Sequence, residues 1–356
     1  MAHPSPRCPS VPICSAHATR HALIGCVLVS CALVLVLANS ARAARIHGIT
    51  LSTHTNGSDW AGPGLEPALD AMVEVGADWI QIHPYAWIGN DGTVRFDAID
   101  PAARPAWLER PLVEARRRDL KVFVKPHLGY WGSRFAWRGD ITFDDDEQWE
   151  RFFRTYRAWI TNVAAATPDA DGFAVGTELD RTLDHEAEWR SIIAAVRGAT
   201  PAPLCYAANW THYREVGFWD ALDVIGIQAY FPLTDESPPT EKGLREAWDR
   251  ILDDVSTYGR ARDRHVVFTE LGYNRSFDAA ARPWDHRTDG PEAEAVQALC
   301  LGVALEEIED APQVIGSFLW KWFPQPRSAG RNFALAVPSI ARVIRECWHV
   351  DETRQD

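Results

Sequence analysis

The segment DGFAVGTE at residues 171–178 is an apolar run that ends on a glycine, a threonine and a carboxylate. A continuous apolar run of this length is typical of a strand that is buried on both faces, as in a parallel sheet. Such a strand leaves no room for a charged side chain, so Glu178 marks the point where the strand leaves the core. The fold depends on how many such segments the chain contains and on what lies between them.

Seven further segments have the same character: IHGITLS (46–52), DWIQIHP (78–84), LKVFVKP (120–126), PLCYAAN (203–209), LDVIGIQAY (222–230), HVVFTEL (265–271) and VIGSFLW (314–320). Stretches with helical spacing of apolar residues lie between or after them, at 66–75, 146–165, 243–258, 292–308 and 339–348. Asp146 and Thr240 are expected to be N-caps of two of these helices. Strands that alternate with amphipathic helices predict a parallel sheet covered by helices, and eight such units predict a (β/α)₈ barrel.

A doubly wound sheet is the alternative fold. It is disfavoured because no G-x-G-x-x-G motif follows the first strand and because eight units are too many. The most loop-like stretch, PLTDESPPTEKG (232–243), fits as one long connection after the sixth strand. We therefore expect residues 44–356 to form a single barrel domain.

Residues 1–43 have the layout of a secretory signal peptide. Arg7 and Arg20 precede the apolar run at 22–38, and the small-residue motif Ala41-Arg42-Ala43 follows it. We expect cleavage near Ala43 and a secreted, periplasmic or extracellular protein. An uncleaved membrane anchor is the alternative, since an apolar run of this length is near the lower limit for a membrane span.

The charge balance argues against nucleic acid as a partner. The formal net charge is −13, and removal of residues 1–43 would take away three arginines and no acidic residue, which makes it −16. An acidic surface repels nucleic acid and anionic lipid, and it suits a neutral substrate. A membrane is expected as a partner only if the signal segment is kept as an anchor. Cys205, Cys300 and Cys347 are expected to be buried thiols, because no pair has metal-ligand spacing.

Residues at the C-terminal ends of the predicted strands are candidates for the functional site, because barrel active sites lie at that face. Two of these residues are carboxylates: Glu178 ends the fourth strand and Glu270 ends the seventh. In a closed barrel of eight strands, these two strands face each other across the mouth. Either acid alone would be interpreted as a loop residue in a salt bridge, but the pair can act on one substrate bond from both sides.

Paired carboxylates across a cavity are the catalytic groups of glycoside hydrolysis. One must be protonated to donate to the leaving oxygen, and the other must be ionised to attack the anomeric carbon. Burial and mutual repulsion raise the pKa of the first, whereas hydrogen bonds lower the pKa of the second. We expect a separation of roughly 5–5.5 Å, the value that implies retention of configuration.

Several segments together resemble the successive motifs of glycoside hydrolase family 113: FAVGTELDRT (173–182), CYAANW (205–210), FWDALDVIGIQAYFPL (218–233), VVFTELGYNRS (266–276) and GSFLWKWFP (316–324). KPHLGYW (125–131) and WRGDI (137–141) extend the resemblance, which covers most of residues 46–325. The family belongs to the retaining (β/α)₈ glycosidases of clan A. It implies hydrolysis of β-linked chains of the mannan type.

The resemblance also implies roles for individual residues. Glu178 resembles the acid/base of the clan and Glu270 its nucleophile. Tyr230 matches the tyrosine that hydrogen-bonds the nucleophile and helps to keep it ionised. Trp320 matches the tryptophan that forms the floor beneath the attacked sugar.

Other polar candidates surround this pair. Thr177 stands where most members of the clan have an asparagine that binds the sugar 2-hydroxyl, so we expect Asn209 or Lys125 to take part in that contact. His83 and His127 are expected to bind hydroxyl groups on the pocket wall, although a backbone carbonyl could equally satisfy His83. A metal site is disfavoured because the first strand lacks the H-x-H pair of amidohydrolase-type barrels.

The chain has 16 tryptophans, a high number, and indole rings stack on the apolar faces of sugars. Those in helical segments are expected to pack between helices and barrel: Trp149, Trp159, Trp189 and Trp248. Those in loops or at strand ends are the candidates for sugar stacking: Trp87, Trp131, Trp137, Trp210, Trp320 and Trp322.

The sequence thus predicts an exported retaining glycosidase, similar to an endo-β-1,4-mannanase, that needs no cofactor and no metal. Its expected substrate is a polysaccharide or an oligosaccharide, cleaved by double displacement. One alternative is the same machinery acting on glucan or xylan, or from chain ends. The other is a barrel that binds carbohydrate without cleaving it, which is disfavoured because a binder has no use for a matched acid and nucleophile.

Overall fold

In the computed structural model, which describes residues 45–325 and 331–349, eight parallel strands form a closed barrel. The barrel strands are β1 (Ile46–Leu51), β2 (Trp79–Ile82), β5 (Lys121–Val124), β7 (Gly172–Thr177), β8 (Leu204–Asn209), β9 (Val224–Gln228), β10 (Val266–Leu271) and β11 (Val314–Trp322). Their order around the barrel is β1-β11-β10-β9-β8-β7-β5-β2. All eight predicted strands are present, so the predicted barrel is confirmed. The predicted signal segment, residues 1–43, lies outside the described ranges.

In the described part of the chain, seven α-helices accompany the strands: α1 (Leu65–Glu74), α2 (Ala106–Arg116), α3 (Asp146–Ala166), α4 (Glu186–Arg197), α5 (Glu241–Arg260), α6 (Glu294–Glu309) and α7 (Pro338–Trp348). The five helices predicted from apolar spacing are confirmed. Within the described ranges, none of the helices combines the length and the apolar character that a bilayer span requires.

The N-cap prediction is correct for α5 and wrong by one residue for α3. Thr240 accepts a hydrogen bond from the Gly243 backbone, as expected. At α3, Asp145 accepts from the Gln148 backbone at 2.8 Å. Asp145 has extended backbone angles, as an N-cap requires, whereas Asp146 is already the first helical residue.

Aromatic side chains fill both sides of the barrel wall. Trp159, Trp189 and Trp248 are buried between helices and strands, as predicted. Inside the barrel, the rings of Phe123 on β5 and Phe318 on β11 stack with centroids 4.9 Å apart. Because these strands are not neighbours, the two rings meet across the interior of the barrel, in a small buried cluster with Ala174, Cys205 and Val267.

A second small sheet extends the wall at the C-terminal ends of β2 and β5. It contains β3 (Tyr85–Ile88), β4 (Val94–Arg95) and β6 (His127–Gly129) in the order β4-β3-β6. Because β3 and β6 directly follow barrel strands, Tyr85 and His127 are paired above the barrel and contribute to one side of its mouth.

Candidate active site

Glu270 lies at the end of β10 and is surrounded by hydrogen-bond donors. Lys125, fully buried at the end of β5, forms an ion pair with Glu270 Oε1. The Tyr230 hydroxyl donates to Glu270 Oε2 at 2.7 Å. Burial by itself would raise the pKa of Glu270, but Lys125 and Tyr230 outweigh burial and lower the pKa. Glu270 is therefore an ionised carboxylate at neutral pH.

Glu178 follows β7 directly and has the opposite electrostatic environment. Its backbone is in the left-handed region, with φ of 52°, which is uncommon for a residue other than glycine. Its N–H nevertheless donates to the Ala207 carbonyl at 2.9 Å, so this turn is held to the neighbouring strand. Burial raises the pKa of Glu178; Arg138 opposes this, and the charge of Glu270 adds to it.

Gln228 connects the environments of the two glutamates. Its Oε1 accepts hydrogen bonds from Lys125 Nζ at 3.2 Å and from Thr269 Oγ1 at 2.9 Å. These two donors fix the orientation of the amide, because only its oxygen can accept. Its nitrogen makes no hydrogen bond of normal geometry among the described residues. The amide N–H groups nevertheless favour the charged forms of both carboxyl groups, and so Gln228 lowers the pKa of Glu178 and of Glu270.

Both carboxyl groups line one cavity of about 750 Å³, here called the main cleft, at the C-terminal ends of the strands. The predicted site residues that line it are Glu178, Glu270, Tyr230, Trp320, Asn209, His127, Trp137 and Trp210. Trp131, another predicted stacking residue, lies on its rim and is 57% exposed. A larger groove of about 1040 Å³ lies between α3 and α4, but it contains neither glutamate.

Three predicted substrate-binding residues lie behind this lining. Lys125 is fully buried, and its ammonium is directed to Glu270, Gln228 and the Thr269 carbonyl. Its contact is therefore with the carboxylate and not with the open cleft, where a sugar hydroxyl would lie. Trp322 packs in the hydrophobic core with 7% exposure, which leaves no face for stacking on a sugar.

His83 is the third of these residues. It lies beneath His127, with ring centroids 4.9 Å apart, and edge-on to Trp60. Neither of its ring nitrogens has a hydrogen-bond partner among the described residues, so the backbone carbonyl that was the alternative partner for His83 is not found there. Burial lowers the pKa of both histidines well below the ordinary value, and both rings are neutral.

Thr177 does not point into the cleft and so is not available to bind the sugar 2-hydroxyl. Its hydroxyl is buried and donates to the Pro126 carbonyl at 3.1 Å, so it is not directed into the cleft. Asn209 lines the cleft, and its Oδ1 accepts from Thr211. Asn209 therefore remains the candidate for that contact.

The histidines in the described ranges are not arranged to form a metal centre. Among residues 45–325 and 331–349, no three His, Cys, Asp or Glu side chains are grouped so that they could hold a metal ion. The nearest approach of a histidine to the carboxylate pair is His127 Nε2, which lies 3.6 Å from Glu270 Oε1.

Gln228, Arg138, Lys321 and Trp284 are among the residues of the site that the sequence did not predict. Gln228 is two residues before Tyr230, and the two-residue period of a strand places both on one face. Arg138 lies 3.4 Å from Glu178 in the WRGDI loop, a segment that contributes to the family resemblance but does not by itself predict a role for Arg138. Lys321 stands between Trp320 and Trp322, which are both predicted stacking residues. Trp284, which stacks on Trp210 at 5.7 Å, follows no strand end and had no signal.

Comparison with known proteins agrees with this geometry. The sequence matches the family model of Glycoside Hydrolase Family 113 over residues 49–332, which is well over half of the chain. Comparison with curated proteins gives no match.

Several solved structures share the fold. One is a complex of a GH113 β-1,4-mannanase, with a TM-score of 0.74 and 22% identity, covering 86% of this chain and 99% of that one. A second is a GH113 β-mannanase from Alicyclobacillus acidocaldarius in complex with ManMIm, with a TM-score of 0.74, 23% identity and coverage of 86% and 97%. A family 5 mannosidase from Rhizomucor miehei is more distant, with a TM-score of 0.62, 13% identity and coverage of 86% and 93%.

Proposed function

The chain belongs to glycoside hydrolase family 113 and is a glycosidase, and from this premise we propose that it hydrolyses β-linked mannan with retention of configuration. The observation that carries the proposal is the pair Glu178 and Glu270, which line one cleft and have pKa values shifted in opposite directions. A protonated acid opposite an ionised carboxylate is what a double displacement requires.

In the first step, Glu270 attacks the anomeric carbon and the bond to the leaving sugar breaks. Glu178 donates its proton to the leaving oxygen, and a covalent glycosyl-enzyme forms on Glu270. Lys125 and Tyr230 hold the attacking carboxylate in place and keep it ionised before the attack. Arg138 lies beside Glu178 and stabilises the negative charge that appears when the proton has left.

In the second step, Glu178 acts as a base. It removes a proton from a water molecule, which attacks the same anomeric carbon and releases Glu270. Because each step inverts the carbon, the product has the configuration of the substrate. Glu178 ends with a proton and Glu270 without one, so the site is ready for another cycle.

Mannan as the substrate is supported by relatives and by the cleft. The two family 113 structures described above are β-mannanases, and both are complexes, one of them with ManMIm. The aromatic rings of Trp320, Trp210 and Trp284 offer flat apolar faces along the cleft, as a sugar chain needs. Internal cleavage of the polymer, as expected from the sequence, is part of this proposal.

The experiment is release of reducing sugar from β-mannan, glucomannan, xylan and β-glucan, by the wild type and by Glu178→Ala and Glu270→Ala. The proposal expects release from β-mannan that both substitutions abolish. Tight binding to one polymer without release from any would favour a carbohydrate-binding barrel. Release from xylan or β-glucan alone would keep the mechanism and overturn the substrate.

We also propose that the protein is exported. The support is the basic start, apolar run and A-x-A end of residues 1–43, which are outside the described ranges. Amino-terminal sequencing of the protein from the native cell tests this. A mature chain that begins near Ala44 agrees with cleavage, whereas a chain that keeps the apolar run would be a membrane-anchored form.

A further inference from the structure

Asp180 is a buried carboxyl group close to the acid/base, and the proposed mechanism does not use it. It lies two residues after Glu178, in the turn that follows β7, and its side chain is 4% exposed. His212 Nδ1 lies 2.9 Å from Asp180 Oδ2, but neither carboxyl oxygen has a hydrogen bond of normal geometry among the described residues. Burial of so weakly paired a carboxyl costs stability, which points to a functional role for Asp180.

Hydrogen bonds join His212 to the wall of the main cleft. The Thr211 hydroxyl oxygen lies 2.7 Å from His212 Nδ1 and 2.8 Å from Asn209 Oδ1. The Thr211 backbone N–H also donates to Asn209 Oδ1, at 3.0 Å. Since Thr211 and Asn209 line the cleft, this series of contacts leads from the buried Asp180 to the substrate side of the site.

The direction of each hydrogen bond follows from the donors and acceptors that are present. The amide oxygen of Asn209 can only accept, so the single proton of the Thr211 hydroxyl is directed to it. The Thr211 oxygen must then accept from His212, which places the ring proton on Nδ1. Asp180 Oδ2 favours this tautomer, because it is an acceptor close to the same nitrogen.

Protonation of Asp180 does not remove this acceptor. Burial raises the pKa of Asp180 to about 8, and the charges of Glu178, Glu215 and Asp140 add to the effect. The carboxyl group therefore carries a proton at neutral pH. One of its oxygens still accepts a hydrogen bond in that form, as an amide oxygen would.

We propose that Asp180 and His212 are positioning residues, which act through Thr211 to hold the Asn209 amide in the orientation that binds the sugar. With Oδ1 engaged by Thr211, the Nδ2 group of Asn209 is left to donate to a hydroxyl group of the substrate. The proposal rests on the proposed function, because it takes Asn209 as a substrate contact. The same contacts join the loop after β8 to the turn that carries Glu178.

A double-mutant cycle on the hydrolysis of β-1,4-mannan oligosaccharides tests the proposal. Asp180→Ala should lower kcat/KM about 2- to 10-fold, the value of one hydrogen bond. In the Asn209→Ala background, the same substitution should lower it less than about twofold, because the residue through which it acts is gone. A residue that only stabilises the fold would cause the same loss in both backgrounds, and that result would overturn the proposal.

Two further variants separate positioning from the stability of the fold. Asp180→Asn keeps an acceptor oxygen without a charge, so it should retain most of the wild-type kcat/KM. Thr211→Val removes the hydroxyl of an exposed residue and keeps its shape, so it should reproduce the loss even if Asp180→Ala does not fold. Wild-type kcat/KM in Thr211→Val, or equal impairment of Asp180→Asn and Asp180→Ala, would contradict the proposal.

The matched control is His47→Ala. His47 Nε2 lies 2.9 Å from Glu309 Oε1, the same separation as between His212 and Asp180. His47 is near the start of β1, at the end of the barrel opposite to the cleft. This variant should keep the wild-type kcat/KM.

The tautomer of His212 gives a readout that does not depend on substrate. Nitrogen NMR distinguishes Nδ1–H from Nε2–H in a neutral imidazole, and the spectrum of His212→Gln identifies the signals of this ring. Above about pH 8, where histidine rings are ordinarily neutral, the wild type should show Nδ1–H, and Asp180→Ala should shift toward Nε2–H. An Nε2–H form in the wild type would overturn the proposal.

These outcomes distinguish the positioning role from the proposed function. If the wild type is active but the losses in the cycle are additive, only the positioning role is overturned. If the wild type cleaves no polymer, the proposed function fails, and the same cycle measured on the Kd for β-1,4-mannan oligosaccharides decides the positioning role. Absence of both cleavage and binding would overturn both.

Discussion

At the scale of single residues, Glu178 and Glu270 have different neighbours and therefore different tasks. Sodium azide can distinguish them, because it attacks at a different step in each variant. Without the acid/base it attacks the covalent glycosyl-enzyme in place of water, and without the nucleophile it attacks the substrate directly. With azide, Glu178→Ala should give the β-glycosyl azide, since the covalent intermediate still forms. Glu270→Ala should give the α-glycosyl azide by one direct displacement. The opposite pairing of products would reverse the two roles.

Tyr230 supports the ionised state of Glu270, and its removal should shift the pH profile. Without its hydroxyl the pKa of Glu270 rises, so activity on the acid side is lost at a higher pH than in the wild type. The lost hydrogen bond to a charged group should lower kcat/KM roughly 10- to 100-fold. The profile of Tyr230→Phe measures both effects.

The matched control is Tyr258→Phe, whose hydroxyl donates to a backbone carbonyl away from the cleft. Its pH profile should equal that of the wild type. An unchanged acid limb in Tyr230→Phe would contradict the role given to this hydroxyl.

Arg138 should act on the other limb of the profile. Its charge lowers the pKa of Glu178, which must be protonated for the first step. Arg138→Met therefore raises that pKa further, and the loss of kcat on the alkaline side should occur at a higher pH. Measurement of kcat from pH 5 to 10 tests the sign, and a shift toward lower pH would be inconsistent with the contact between Arg138 and Glu178.

The sequence predicts the carboxylate pair because both residues stand at strand ends, and the resemblance to family 113 implies the tyrosine that accompanies it. The sequence does not predict the ion pair between Lys125 and Glu270. These residues lie at the ends of β5 and β10, and only closure of the barrel brings their side chains together. Arg138 was likewise beyond sequence reasoning, since its contact with Glu178 arises from a loop whose path is set by tertiary packing. Trp322 shows the converse: a residue close to a site in sequence can still belong to the core.

At the scale of elements, the beginning of α3 offers a direct comparison of neighbouring acids. Asp145→Ala removes the hydrogen bond to the Gln148 backbone and should lower the free energy of unfolding by about 0.5–2 kcal/mol. Asp146→Ala removes only a charge in the first turn and should cost less, about 0.3–1 kcal/mol. Urea unfolding of both variants measures the difference. A larger loss for Asp146→Ala would restore the N-cap expected from the sequence.

The eight barrel strands could be predicted because each is a continuous apolar run between amphipathic helices. The sheet formed by β3, β4 and β6 could not, because its strands are two to four residues long and two of them follow a barrel strand almost directly. Segments this short do not show the alternation of apolar and polar residues that identifies a strand in a sequence. Their pairing depends on the barrel strands that precede them.

At the scale of the whole molecule, the barrel closes where β1 pairs with β11, and Gly316 lies at that seam. Its φ is 131°, and a Cβ there would lie 2.2 Å from the Ile46 carbonyl oxygen. Gly316→Ala should therefore lower the free energy of unfolding by at least about 1–3 kcal/mol. Gly198→Ala is the control, because it has room and an ordinary φ of −74°. Equal stability of the two variants would show that the seam tolerates a side chain.

The central claim is hydrolysis by the Glu178 and Glu270 pair with retention, and the anomeric configuration of the first product tests it most directly. Proton NMR recorded during cleavage of β-1,4-mannan oligosaccharides resolves the two anomers before they interconvert. The double displacement predicts that the β-anomer appears first and the α-anomer only later, by mutarotation. Initial formation of the α-anomer would mean a single displacement and would contradict the roles assigned to both glutamates.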